Sequence, residues 1–425
     1  MDDGTEVARV GTRRGRSDAL GRWAFTALVL YYWGLQFAMR TDDEVQRGDL
    51  LYYLSVIPVA LFSLLVLAAL GVGLRLNQSA RLMSAYVLVV CAVAAMRGDT
   101  QTILNTLLFG AAIVAILACR VAPSVGMLNR LLLASIAINA VLFLLGRSIY
   151  AVIPGFSTGG ELAWRVSVFP FVATSAFFSL VVLFLNVLEP GAPLRRTCLL
   201  LSAYFLVFSG VRSALIAGVL GAGYLLLVRM GRLRRTSAKM TYLTLALAAF
   251  IASLFWGQLL LLAPLFGDGF VGEYLLRSTN GLESADDVAK AIYRTYLWAE
   301  HLRIASQNPL FGIGTFDFDA VTMIDPNFSA PSRGSEAFLT GLFARVGLPA
   351  LLFVVALCTA IARGVRRGGH AHFVVGLTLF IAMLAYGSFI NAYDFVFLVM
   401  IGLLAKEVDQ GTRPARPALS PVAAA

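Results

Sequence analysis

The sequence predicts an all-α polytopic membrane protein with about twelve transmembrane helices and a long external loop between helices 9 and 10. Three observations carry that prediction. First, 59% of the 425 residues are hydrophobic and only 14% are charged, with a mean hydropathy of +0.80, so the chain cannot cover its own core in water. Second, apolar runs of roughly 17–25 residues recur between charged breaks, the length that spans a bilayer at about 1.5 Å per residue. Third, the Lys and Arg that give the net charge of +10 fall mostly in alternate loops. That pattern is one of topology and excludes a nucleic-acid-binding face.

The elements follow in order. Residues 1–22 form a basic tail (Arg9, Arg13, Arg14, Arg16, Arg22) that the positive-inside rule makes cytoplasmic. Residues 23–262 carry helices 1–9: Ala24–Met39, Leu51–Leu74, Leu82–Met96, Ile103–Cys119, Leu131–Leu145, Val166–Leu188, Thr197–Ser209, Ser213–Val228 and Met240–Leu262. The acidic stretch Asp42, Asp43, Glu44, Asp49 lies outside, and the most basic loop (Arg229, Arg232, Arg234, Arg235, Lys239) lies inside. Residues 263–335 form the external loop. Within it Ala285–Ala305 has an amphipathic helical pattern, opened by Ser284 and two acidic residues. Residues 336–405 carry helices 10–12, with Gly347 and Pro349 as a potential bend in helix 10. Residues 406–425, rich in Pro and Ala, read as a disordered cytoplasmic tail. The first apolar run has no small-residue cleavage site, so it is a retained helix. The four cysteines sit in or beside apolar runs without metal or redox spacing.

Helix length places polar residues in depth. About fifteen residues separate Arg196 from Arg212, roughly 23 Å against the ~30 Å hydrocarbon core, so Arg212 is expected to lie below the outer surface. An arginine there either faces a wet cavity or snorkels to the headgroups. Asp394, at the head of a short last helix, is expected near mid-membrane, either lining the same cavity with Asn391 or forming a plain ion pair. Arg345 lies about 27 Å from Arg363 along its helix and marks the outer boundary of the bilayer.

Three patches, SGVRSALIAG (Ser209–Gly218), NPLFGIGTFDF (Asn308–Phe318) and SEAFLTGLFARVGLPALLF (Ser335–Phe353), resemble the O-antigen polymerase and ligase superfamily in order, spacing and position around a long external loop. The resemblance implies a bacterial inner-membrane glycosyltransferase with its active site facing the periplasm. Its substrate would be an undecaprenyl-diphosphate-linked oligosaccharide, which it would polymerise into O-antigen, capsule or exopolysaccharide without metal or cofactor. Where ligases carry a His-Asn pair, this chain has Ser335 and Glu336, which favours a polymerase over a ligase acting on lipid A core or protein. A transporter or flippase is the alternative from another class, but the halves show no internal repeat. A chain-length regulator and a flippase would be partner proteins.

For such chemistry Glu336 is the expected general base, with His301 as rival. Arg212 is the first candidate to bind the diphosphate, followed by Arg294 and Arg333, with Arg277 and Arg303 weaker. Trp298, with Tyr293 and Tyr296, either stacks on sugar faces or anchors the interface. Asp317 and Asp319 have no metal partner in the pattern. GIG at 312–314 reads as a backbone turn, and Asn308–Leu310 is expected to hinge a lid.

Overall fold

The computed structural model describes residues 3–38, 50–70, 76–120, 122–156, 165–254, 298–314, 338–385 and 394–406. Among the described residues every regular element is an α-helix. They are α1 (Asp3–Ala38), α2 (Leu50–Leu70), α3 (Gln78–Arg97), α4 (Thr100–Cys119), α5 (Val125–Leu144), α6 (Val172–Leu188), α7 (Arg195–Phe208), α8 (Arg212–Arg229) and α9 (Thr236–Leu254). After the loop come α10 (298–307), α11 (Phe338–Val346), α12 (Ala350–Arg366), α13 (His370–Ala385) and α14 (Phe395–Ala405). Four described helices (α3, α4, α5, α8) are long and apolar enough to cross a membrane, and α6, α13 and α14 are shorter apolar helices.

The helix ends have local causes. At the α3–α4 turn Gly98 takes a left-handed conformation (φ 70°), and its N–H reaches the carbonyls of Ala94 and Ala95. Asp99 then caps α4 by accepting from Thr102 N at 2.9 Å and Thr102 Oγ1 at 2.6 Å. Asn77 and Ser124 cap α3 and α5 in the same way. α6 starts at Val172, later than the Val166 expected from hydropathy, because Pro170 bars helical backbone at the residue before it. The freed segment is held by side chains: Ser175 Oγ accepts from Val168 N, and Asn139 donates to the carbonyls of Tyr150 and Ser167. The single helix 10 of the sequence reading is two helices. Gly347 (φ 65°) and Pro349 end α11 and start α12. α1 runs without a break through the basic tail.

α13 and α14 form the centre. From His372 to Ala385 and from Phe395 to Ala405 every residue is buried. A helix apolar on all sides is stable only when it is surrounded. α8, α12 and α6 pack on α13, and α4 packs on α14. On the outer helices Leu64, Leu65, Leu88, Leu144 and Leu200 point outward, an apolar exterior suited to lipid. Among the described residues buried amides pair across helices. Asn129 and Asn186 exchange amide hydrogen bonds of 2.9 and 2.7 Å, and Asn129 also donates to Pro193 O. This locks α5, α6 and the turn before α7 together.

Candidate functional site

The described part of the long loop is tied down by backbone. α10 ends at residue 307, and the NPLFGIG motif continues as a turn in which Gly312 N donates to Asn308 O. Ile313 N then bonds Ala344 O at 3.0 Å, Gly314 N bonds Arg345 O at 2.9 Å, and Leu348 N bonds Pro309 O at 2.8 Å. The motif therefore pairs with the α11–α12 break along both edges. From the α3–α4 turn Arg97 donates to Gly312 O at 2.9 Å and Phe311 O at 3.3 Å. Three glycines make the approach possible. A Cβ on Gly312 (φ 60°) would stand 2.3 Å from the Arg345 carbonyl carbon, one on Gly347 2.6 Å from Gly312 N, and one on Gly314 (φ 84°) 2.6 Å from Asp99 Oδ2. Within Asn308–Leu310, where a hinge is expected from sequence, Asn308 N donates to Ile304 O and Pro309 O accepts from Leu348 N, tying this stretch to α10 and to the α11–α12 break.

His301 is fully buried on α10. Its Nδ1 lies 3.0 Å from Thr340 Oγ1 on the first turn of α11. Burial, reinforced by the nearby Arg345 guanidinium and opposed by Glu300, pushes its pKa down to about 4. The imidazole is therefore neutral at physiological pH. Ile304, Ala344 and Ile313 form a small apolar cluster around the same joint. On the outer face of α10 Arg303 pairs with Glu300 and Gln307 of its own helix, and Trp298 packs half-buried against the main core.

Arg345, expected as a boundary marker, is half-buried. It lines a small cleft with Arg97, Asp99, Thr102, Phe311 and Gly314. Arg212 opens α8 directly after Gly210 (φ 66°) and Val211, whose N–H bonds Ser209 Oγ, and its side chain is exposed. A bond of 3.0 Å from Val166 N to Phe208 O brings the Arg165 backbone alongside this turn. Asp394 is buried and caps α14, its Oδ1 accepting from Val396 N at 2.8 Å and Phe397 N at 3.3 Å. Glu336, Arg294, Arg333, Arg277, Asn391, Tyr293, Tyr296, Asp317 and Asp319 lie outside the described residues.

The structure thus brings His301, Thr340, Arg345, Arg97 and Asp99 together. Of these only His301 was singled out by sequence as a site candidate. Arg97 and Asp99 stand more than 200 residues before their partners, so no local pattern could have paired them. The capping role of Asp394 did have a signal: an Asp directly before an apolar helical run.

Taken together, apolar spanning helices around a buried pair and a loop clasped to one end of the bundle define a multi-pass membrane protein. Residues 197–355 of it, running from α7 through the loop to α12, match the model of a family described as O-antigen ligase. The match bears out the resemblance to the O-antigen polymerase and ligase superfamily, and it supports a membrane enzyme of O-antigen-related glycan processing. No curated protein matches the chain significantly.

Proposed function

We propose that this chain is a glycosyltransferase of the bacterial inner membrane that polymerises undecaprenyl-diphosphate-linked oligosaccharide repeats at the periplasmic face, without a metal. The observation that carries the reading is the clasp. It joins two of the three family patches, NPLFGIG and the GLP break, at the same end of the bundle as the exposed Arg212 turn. In the proposed step a hydroxyl of one repeat attacks the anomeric carbon of another. Glu336 takes the hydroxyl proton, and the bond to the diphosphate breaks with its electron pair leaving on the phosphate oxygen. Arg212, with Arg294 and Arg333, neutralises that departing charge, since a guanidinium binds phosphate oxygens bidentately and stays charged. His301 serves as a positioning residue: its bond to Thr340 fixes the start of α11, four residues after Glu336.

Transfer of the finished glycan to lipid A core is the second reading, favoured by the description of the matching family. The Ser335–Glu336 pair in place of His-Asn favours polymerisation. Purified protein in vesicles with lipid-linked repeats as sole substrate separates the two. A ladder of longer carrier-linked glycans, unaffected by chelator and lost in Glu336→Gln, is the result expected of a polymerase. Product formed only when lipid A core is added would establish the ligase, and no product with either acceptor would overturn both.

A further inference from the structure

At the end of the bundle opposite the clasp, where the basic loops gather, α1 and α5 part below a cross-link between them. Trp33 Nε1 donates to the buried Ser135 Oγ at 2.8 Å and closes the gap from above. Below that bond the two helices and the α6–α7 turn bound an open cavity of about 800 Å³, the size of a small-molecule site. Leu30, Leu131, Leu188 and Pro193 give it apolar walls, and Arg130 and Glu189 line it as well. From Ser124, at its lower edge, to Ser135 the rise of α5 is about 16 Å, which crosses the headgroup layer and reaches into the hydrocarbon of one leaflet. Trp23, 76% exposed, stands two turns before Leu30 on the same face of α1, where an interfacial indole belongs. The walls are fixed in advance. Asn129 donates to Asn186 Oδ1 at 2.9 Å and to Pro193 O at 2.8 Å, and Arg195 Nε donates to Asn186 O at 2.7 Å, so α5 and the turn keep one spacing. Gly126 lets the turn lie close, since a Cβ there would stand 2.7 Å from Pro193 Cγ. The two charges do not neutralise each other. Arg130 is exposed and makes no hydrogen bond or ion pair among the described residues. Glu189 lies 4.0 Å from Lys406 Nζ, too long for a hydrogen bond, and both side chains are about half exposed, so the pairing is weak.

We propose that this cavity binds one phospholipid of the adjoining leaflet, a zwitterionic one whose headgroup ends in a primary amine. Apolar walls at this depth face acyl chains, so a chain fills the upper part of the cavity beneath the Trp33–Ser135 bond. The guanidinium fork of Arg130 takes the phosphate oxygens. The Glu189 carboxylate accepts from the ammonium, whose three N–H donors a quaternary amine lacks. One cation and one anion in a single cavity match a headgroup with no net charge, whereas a purely anionic headgroup would face Glu189 unmatched. The site is separate from the glycan chemistry at the clasp and does not depend on it. The residues that follow Lys406 in sequence are the rival occupant, because Lys406 stands beside Glu189.

The test uses the full chain in detergent with phosphatidylethanolamine, phosphatidylcholine or phosphatidylglycerol added singly. It reads retained lipid by native mass spectrometry, with thermal melts to show that each variant is folded. The wild type is expected to retain phosphatidylethanolamine about fivefold better than either of the others, the effect of one charged contact. Arg130→Gln is expected to lower that retention about fivefold, and Glu189→Gln to bring phosphatidylethanolamine down to the level of phosphatidylcholine. Leu30→Trp, which fills the cavity from α1 and alters no charge, is expected to lower retention of all three lipids. Arg232→Gln, an equal charge loss in another loop at the same end, is expected to change nothing. Should Arg130→Gln fail to fold, Arg130→Lys keeps the charge, removes the fork and is still expected to weaken retention. Equal retention of the three lipids by the wild type, a preference for phosphatidylglycerol, or equal losses in Arg130→Gln and Arg232→Gln would overturn the proposal. So would retention that appears only when the chain is cut after Lys406, which would assign the cavity to the chain's own tail.

Discussion

Two turns at the same end of the bundle carry family patches, and they are built in opposite ways. The NPLFGIG clasp is backbone against backbone. Its glycines are there because nothing larger fits, and its hydrogen bonds run between segments far apart in the chain. The SGVR turn is a short link between α7 and α8 that ends in an exposed guanidinium. One motif therefore holds the fold, and the other presents a charge. A sequence pattern records both as recurring small residues beside an arginine or a loop. Only the three-dimensional contacts separate them.

Substitutions that should behave differently at the two turns test this contrast. Gly312→Ala adds a methyl group 2.3 Å from the Arg345 backbone at a left-handed position, so a cost of more than about 3 kcal/mol is expected. The readout is membrane yield and monodispersity in detergent; a folded Gly312→Ala protein with normal yield would break the comparison. At the other turn, Arg212→Ala should leave yield and thermal stability at wild-type levels. It should lower chain extension in vesicles by about 100–1000-fold, the usual loss when one group stabilising a departing anion is removed. A matching fall in stability would make Arg212 structural as well.

Acid provides a third probe. His301 has a folded pKa near 4 against an ordinary value of 6.5. Between those values the unfolded chain binds a proton that the folded chain does not. Stability is therefore complete above about pH 6.5 and declines as the pH falls to about 4, by on the order of 3 kcal/mol. His301→Asn, which can still bond Thr340, should flatten that decline in thermal melts while keeping activity at neutral pH; loss of activity at neutral pH would restore His301 as the base. The smallest effect expected is that of Arg97→Ala. It removes the bonds to Phe311 O and Gly312 O but leaves the backbone pairing intact, for about 1 kcal/mol measured as a shift in unfolding midpoint.

Much of the helical skeleton was legible because charge and hydropathy change together at helix ends. Phe395–Ala405 was read to the residue, and α7 and α8 to within two. The break in helix 10 was foreshadowed by Gly347 and Pro349, whose backbone demands are local. The central place of α13 and α14 was not legible: a helix apolar all round looks the same whether its neighbours are lipid or protein. Hydropathy also missed the late start of α6, since Pro170 acts through backbone sterics. At the site, the turn at Arg212 and the glycine turn at 312–314 were visible as patterns. The partners of the clasp, and the inward placing of Arg345, depend on contacts across the fold that no window of sequence contains.

The burial of α13 and α14 has a bearing on how the protein is made. These two helices follow all the other described ones in the chain, yet α1, α4, α6, α8, α9, α11 and α12 pack on one or other of them. During synthesis the outer helices must wait in the membrane with their inner faces covered by lipid or by one another, and the final assembly happens only when the last pair slides in. A premature stop after α12 would therefore cost far more than its length implies, leaving a shell with no centre for the membrane's quality-control proteases to find.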